Sequence, residues 1–167
     1  MTGDLEPELI DDILIRWPLP IADAVEALAA AASPHERRDR VVEVMRAIVR
    51  TLAGFALAAE LQYGNESTRG SKAVAPLLVA LRTRGLTDGQ WVGLVRELTR
   101  AWRDDPDAHV LPSLVAMFHR RSKVGPLLDQ LLLMRKSETV AHGPTGDERD
   151  LEALLAVRVP QLQKLLR

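Results

Sequence analysis

Apolar residues recur along this chain at three- and four-residue spacing in one segment after another, the period of an amphipathic helix. Strands need alternating runs rich in β-branched and aromatic residues. Here aromatics are 4% and Ala and Leu dominate the periodic stretches. The pattern predicts an all-α chain, an antiparallel helical bundle of about five to seven helices. A first helix is expected over Glu6 to Ile15, stopped by Trp17-Pro18-Leu19-Pro20, whose prolines remove two backbone donors and push Trp17 and Leu19 away from helical torsions. An Ala-rich helix from Ile21 to Ala32 follows. Ser33 as N-cap, Pro34 in the first turn and Glu36 three residues after the serine then give a capping-box signature. Behind it Val41, Val42, Val44, Met45, Ile48, Val49, Leu52, Phe55, Ala56 and Ala59 recur at three- and four-residue spacing. That helix is expected to reach Tyr63, roughly 30 residues and about 45 Å. Gly54 inside it costs about 1 kcal/mol against Ala and is expected to serve close packing.

The remaining punctuation is regular. Gly64 to Gly70 reads as a loop, Lys72 to Thr83 as a helix stopped by Gly85, and Thr87 with Gln90 as a second capping box. It opens a helix expected to run through Trp91, Leu94, Val95, Leu98 and Trp102, with the two tryptophans on one packing face. Asp104-Asp105-Pro106 closes it. A short helix over Leu111 to Arg121, one from Gly125-Pro126 to His142, and one over Asp147 to Leu166, kinked or divided at Pro160, complete the chain. The breaks have bundle-loop lengths, so residues 1–16 are read as an N-terminal helical extension and residues 17–167 as one bundle domain.

Composition narrows the chemistry. With 22 basic and 23 acidic residues the net charge is −1, poor footing for a sequence-independent duplex-DNA binder. The absence of cysteine excludes disulfides, thiolate nucleophiles and cysteine-ligated zinc. No apolar run approaches the roughly 18 residues of a membrane span, and the start of the chain reads as no secretory signal. A cytoplasmic protein without a membrane partner is expected. His35, His109, His119 and His142 lack the paired spacing of a helical metal site, so neither metal nor cofactor is expected. His119-Arg120-Arg121-Ser122-Lys123 is a dense basic cluster, expected to be a solvated helix end.

The informative segment is Leu127 to His142. Leu131, Leu132, Leu133 and Met134 cover a helix's circumference, as in an enclosed element. Continuing the Leu128–Leu131 stripe by helical steps reaches Arg135, Glu138 and His142, a polar row on a face that was apolar one turn earlier. Arg135 and His142 are about 700° apart, on one azimuth and roughly 10 Å along the axis. Such a row is costly unless hydrogen-bonded or functional. A plainer account is an Arg135–Glu138 pair and a histidine favourable to the helix dipole.

The run Arg135-Lys136-Ser137-Glu138-Thr139-Val140-Ala141-His142-Gly143 resembles the signature of the HEPN superfamily (higher eukaryotes and prokaryotes nucleotide-binding). In it an Arg precedes a His near a helix end. The capped long helix, the Trp91 helix, the apolar helix ending Ala141-His142-Gly143 and the closing helix resemble the family's layout over residues 17–167. The resemblance implies a homodimer whose paired Arg and His residues meet across the interface. In catalytic members the ribose 2′-hydroxyl attacks the adjacent phosphate without metal. Carried over, His142 would be the general acid or base, Arg135 would hold the phosphate, and Glu138 would orient either. The commoner motif has its Arg five positions before the His, where this chain has Ser137, and Glu138 puts negative charge where a phosphate would sit. The expectation is therefore a dimeric, non-catalytic HEPN-like interaction or sensing module of a bacterial signalling, stress or antiviral system, partnered by itself or by another domain or subunit. The alternative is a metal-independent endoribonuclease with RNA as its partner, using Arg135 and His142. A helical adaptor in which the motif is coincidental is the third.

Overall fold

The computed structural model describes residues 5–64, 72–119 and 148–167. Within them the chain is helical, with no strand among the described residues: α1 (Pro7–Arg16), α2 (Leu19–Ala29), α3 (Pro34–Tyr63), α4 (Val74–Thr83), α5 (Asp88–Thr99), α6 (Pro112–His119) and α7 (Glu148–Leu165), with 3₁₀ turns at Arg100–Trp102 and Pro106–Ala108. The expected all-α class is the observed one. No helix among the described residues is long and apolar enough to cross a membrane.

Two compact units divide the chain, one comprising described residues 5–48 and 148–167, the other 49–64 and 72–119. The boundary falls inside α3, between Ile48 and Val49. In the first unit α1 packs against α2. Ile13 on α1, Ile21, Val25 and Leu28 on α2, Val41, Val44 and Met45 on α3, and Leu151, Leu155, Val159 and Leu162 on α7 are buried there. Each burial of this size stabilises by about 1.5–3 kcal/mol. The N-cap residue of α1, Glu6, makes no cap bond. Its carboxylate instead accepts hydrogen bonds from Gln163 and Arg167 at the far end of the chain.

Several elements differ from expectation. α2 begins at Leu19, two residues early, because Pro20 falls in the first turn, where a missing N–H costs nothing. It ends at Ala29, where Ala30 is the C-cap. α7 is not divided: it runs through Pro160, whose position is exposed, so water can reach the carbonyl one turn back. α5 stops at Thr99 and tightens into a 3₁₀ turn. Trp91 and Trp102 therefore do not share a helix face. Trp91 packs against the core of the second unit, while Trp102 sits in the turn.

That core joins Ala53 and Ala56 of α3, Val74 of α4, Leu94, Val95 and Leu98 of α5 and Leu114 of α6. The capping box expected at α5 is formed. Gln90 N donates to Thr87 Oγ1 at 3.3 Å, and Thr87 N to Gln90 Oε1 at 3.0 Å. At α3, Glu36 N donates to Ser33 Oγ at 3.2 Å, but the Glu36 carboxylate takes Ala32 N, 3.1 Å away, one residue beyond the usual partner. α4 closes through Arg84 into Gly85 at φ 75°, a torsion that favours glycine. Gly54 lies on an exposed face, and a Cβ there would meet nothing within 4 Å among the described residues. The close packing expected at that glycine is not observed.

Candidate functional site

Arg135, Glu138 and His142, the residues of the expected HEPN-like site, lie outside the described residues, as does the helix expected over Leu127 to His142. Polar chemistry inside the described fold gathers instead at two places, both in the second unit.

One is a cleft of about 230 Å³ lined by Ala59, Glu60, Tyr63 and Gly64 from the end of α3 and by Trp102, Ala108, His109 and Val110 from the turns after α5. Two of its side chains are buried although ionisable: Glu60 is 7% exposed and His109 8%. Glu60 reaches this position because Val49, Ala53, Ala56 and Glu60 follow one another at helical spacing, so the carboxylate continues an otherwise apolar stripe. Gly64 makes room for it. A Cβ on Gly64 would come within 2.2 Å of the Glu60 carboxyl carbon and 2.3 Å of its backbone oxygen. Gly64 N donates to the Glu60 carbonyl at 2.9 Å, closing the last turn of the helix.

His109 is set by the opposite wall. Pro106 starts a 3₁₀ turn, and His109 leaves it in an extended conformation, its backbone N–H bonded to the Pro106 carbonyl. Leu111 N donates to His109 Nδ1 at 3.0 Å. A nitrogen that accepts carries no proton, so the ring proton sits on Nε2. The imidazole stands against Trp102, ring centroids 5.5 Å apart at an interplanar angle of 61°, the edge-to-face arrangement aromatic quadrupoles prefer. The cleft thus offers a carboxylate, a ring N–H, the half-buried Trp102 indole and the 63%-exposed Tyr63 phenol within small apolar walls.

The second place is the pair Thr99 and His119. Thr99 is fully buried; its hydroxyl donates to the Val95 carbonyl at 2.7 Å and lies 2.9 Å from His119 Nε2. With its own proton committed, Thr99 Oγ1 accepts from Nε2–H. Burial pushes the His119 pKa below its ordinary value; a hydrogen bond to the Arg96 carbonyl opposes this, and the nearby Arg103, Arg96 and Arg100 cations push it down further. His119 is thus not the solvated end expected of the basic cluster, because its ring folds back onto α5. Arg120, Arg121 and Lys123 lie outside the described residues.

The sequence reading missed the cleft. Its signals were a glutamate on an apolar stripe at Glu60 and an aromatic–histidine pair bracketing Asp104-Asp105-Pro106, and only folding brings the two together. No group of three or more His, Asp or Glu side chains suited to a metal ion occurs among the described residues. Comparison of the chain with protein-family models, with curated proteins and with solved structures finds no match.

Proposed function

We propose that this chain is a HEPN-like helical module that pairs with a second copy of itself and acts by interaction or sensing, without catalysis, in a bacterial signalling, stress or antiviral system. The observation that supports the reading is the α3 helix. It spans 30 residues and opens on the Ser33–Glu36 cap, in an all-helical fold that also holds the Trp91 helix and a closing α7. These helices are part of the layout on which the resemblance rests; its Arg135–His142 motif lies outside the described residues.

Light-scattering mass measurement across a concentration series tests the pairing, and incubation with structured and single-stranded RNA, with and without chelator, tests the chemistry. The expected result is a dimer that leaves RNA intact. A monomer at every concentration would overturn the reading. Chelator-resistant cleavage that disappears in His142→Ala would replace it with the endoribonuclease.

A further inference from the structure

We infer that the cleft between the end of α3 and the turns after α5 binds a small neutral compound with a flat apolar body and one hydrogen-bond acceptor. The acceptor is a carbonyl oxygen or a ring nitrogen, and it takes the Nε2–H of His109. The inference goes beyond the function proposed above; Arg135, Glu138 and His142 take no part in it. Glu60 is engaged within the fold and has no part in the recognition.

A buried donor selects the ligand. His109 is 8% exposed, and its Nδ1 accepts from Leu111 N at 3.0 Å. That bond fixes both the ring and its tautomer, so the proton lies on Nε2, away from the Leu111 backbone. Among the described residues nothing accepts from Nε2, while the ring itself forms part of the cleft wall. A donor so enclosed is costly without a partner, and an acceptor seated in the cleft removes that cost. A negative charge on the acceptor is disfavoured. No Lys or Arg stands among the lining residues, so an anion would give up its hydration without a counter-charge. A neutral carbonyl or ring nitrogen gives up far less.

The remaining walls set shape and size. Ala59, Ala108 and Val110 are small and apolar, and the Trp102 indole and Tyr63 phenol add aromatic surface suited to a flat ring. At about 230 Å³ the cleft is smaller than the roughly 300–1,000 Å³ of sites for drug-sized ligands and cofactors. It has room for a single ring and its acceptor, with the remainder of a larger ligand left over exposed Tyr63 and Val110. The donor is also held in place before any ligand arrives. Leu111 N fixes one edge of the imidazole, and Trp102 stands edge-to-face against it with centroids 5.5 Å apart. A group already ordered in its binding position lowers the cost of association.

The test is titration of the full chain with acetophenone, and with benzoate as an anion of nearly the same shape. Proton–nitrogen correlation spectra that report the histidine ring nitrogens follow both. Saturable 1:1 binding of acetophenone is expected, at least tenfold tighter than benzoate, with displacement of the His109 Nε2 resonance. His109→Phe keeps a flat ring against Trp102 but has no donor, and should bind acetophenone at least fivefold more weakly. Ala108→Phe provides the second variant. Position 108 is exposed at the cleft, so a phenyl group there obstructs the mouth while leaving the core intact, and binding should be lost. The resonance is read on the unsubstituted chain, so the test does not depend on either variant folding. Failure of acetophenone to bind at tens of millimolar would overturn the inference. So would binding that leaves the His109 Nε2 resonance unmoved, benzoate binding as tight as acetophenone, or parental affinity in folded His109→Phe or Ala108→Phe.

Discussion

Replacing Thr99 by Val tests whether the α5–α6 contact is held by a polar link inside the core. Val puts a methyl group where Thr has its hydroxyl, so the fully buried site opens no cavity. What is lost is the acceptor 2.9 Å from His119 Nε2 and the 2.7 Å bond to the Val95 carbonyl. The Arg96 carbonyl remains as an acceptor for His119, so the loss is that of one hydrogen bond, about 0.5–1.5 kcal/mol. For a chain of this size that is a fall of about 2–4 °C in Tm per kcal/mol. Thermal unfolding at pH 7.5 should show the loss; a Thr99→Val protein as stable as its parent would refute the reasoning. The same contact carries a pH dependence. His119 has a lowered pKa in the fold, so near neutrality the unfolded chain binds more protons than the folded one, and stability rises with pH. The contribution is complete above the unfolded histidine value of about 6.5 and is lost as the pH falls through the lower folded value. His119→Gln can keep a donor for Thr99 but does not titrate. Its Tm should therefore decline less than the parent's between pH 7.5 and 5, and parallel curves would remove His119 from the account.

Gly54→Ala should stabilise by about 0.5–1 kcal/mol, read as a higher urea midpoint, since the position is helical, exposed and open. Thr87→Ala should cost about 1 kcal/mol in the same measurement, because it removes the hydroxyl oxygen that accepts from Gln90 N. Leu98→Ala, which empties a position 2% exposed within the core of the second unit, should cost about 2–5 kcal/mol. Gly64→Ala should destabilise by about 1–3 kcal/mol as the new methyl displaces Glu60 or the helix end; unchanged calorimetric unfolding would contradict the contact.

Helix identities and most helix ends were legible in the sequence because they depend on neighbours a few residues away. The Ser33 and Thr87 caps, the stop at Gly85 and the 30-residue reach of α3 all followed from local spacing and side-chain chemistry. Expectations failed where a distant contact decided. Periodicity put Trp91 and Trp102 on one face, but α5 ends at Thr99 and the two rings go to different surroundings. Gly54 looked like a packing glycine, but which face of α3 receives another helix is a property of the assembled unit.

The same division holds for the chemistry. Local sequence determined the all-helical class of the described residues, since hydrophobic period and residue type are properties of a single segment. Tertiary structure alone decided that Glu60 and His109, 49 residues apart, line one cleft, and that His119 turns inward to Thr99. The physical reason is that a buried polar group is stabilised by whatever partner and dielectric the packed chain supplies. No run of neighbouring residues encodes that environment.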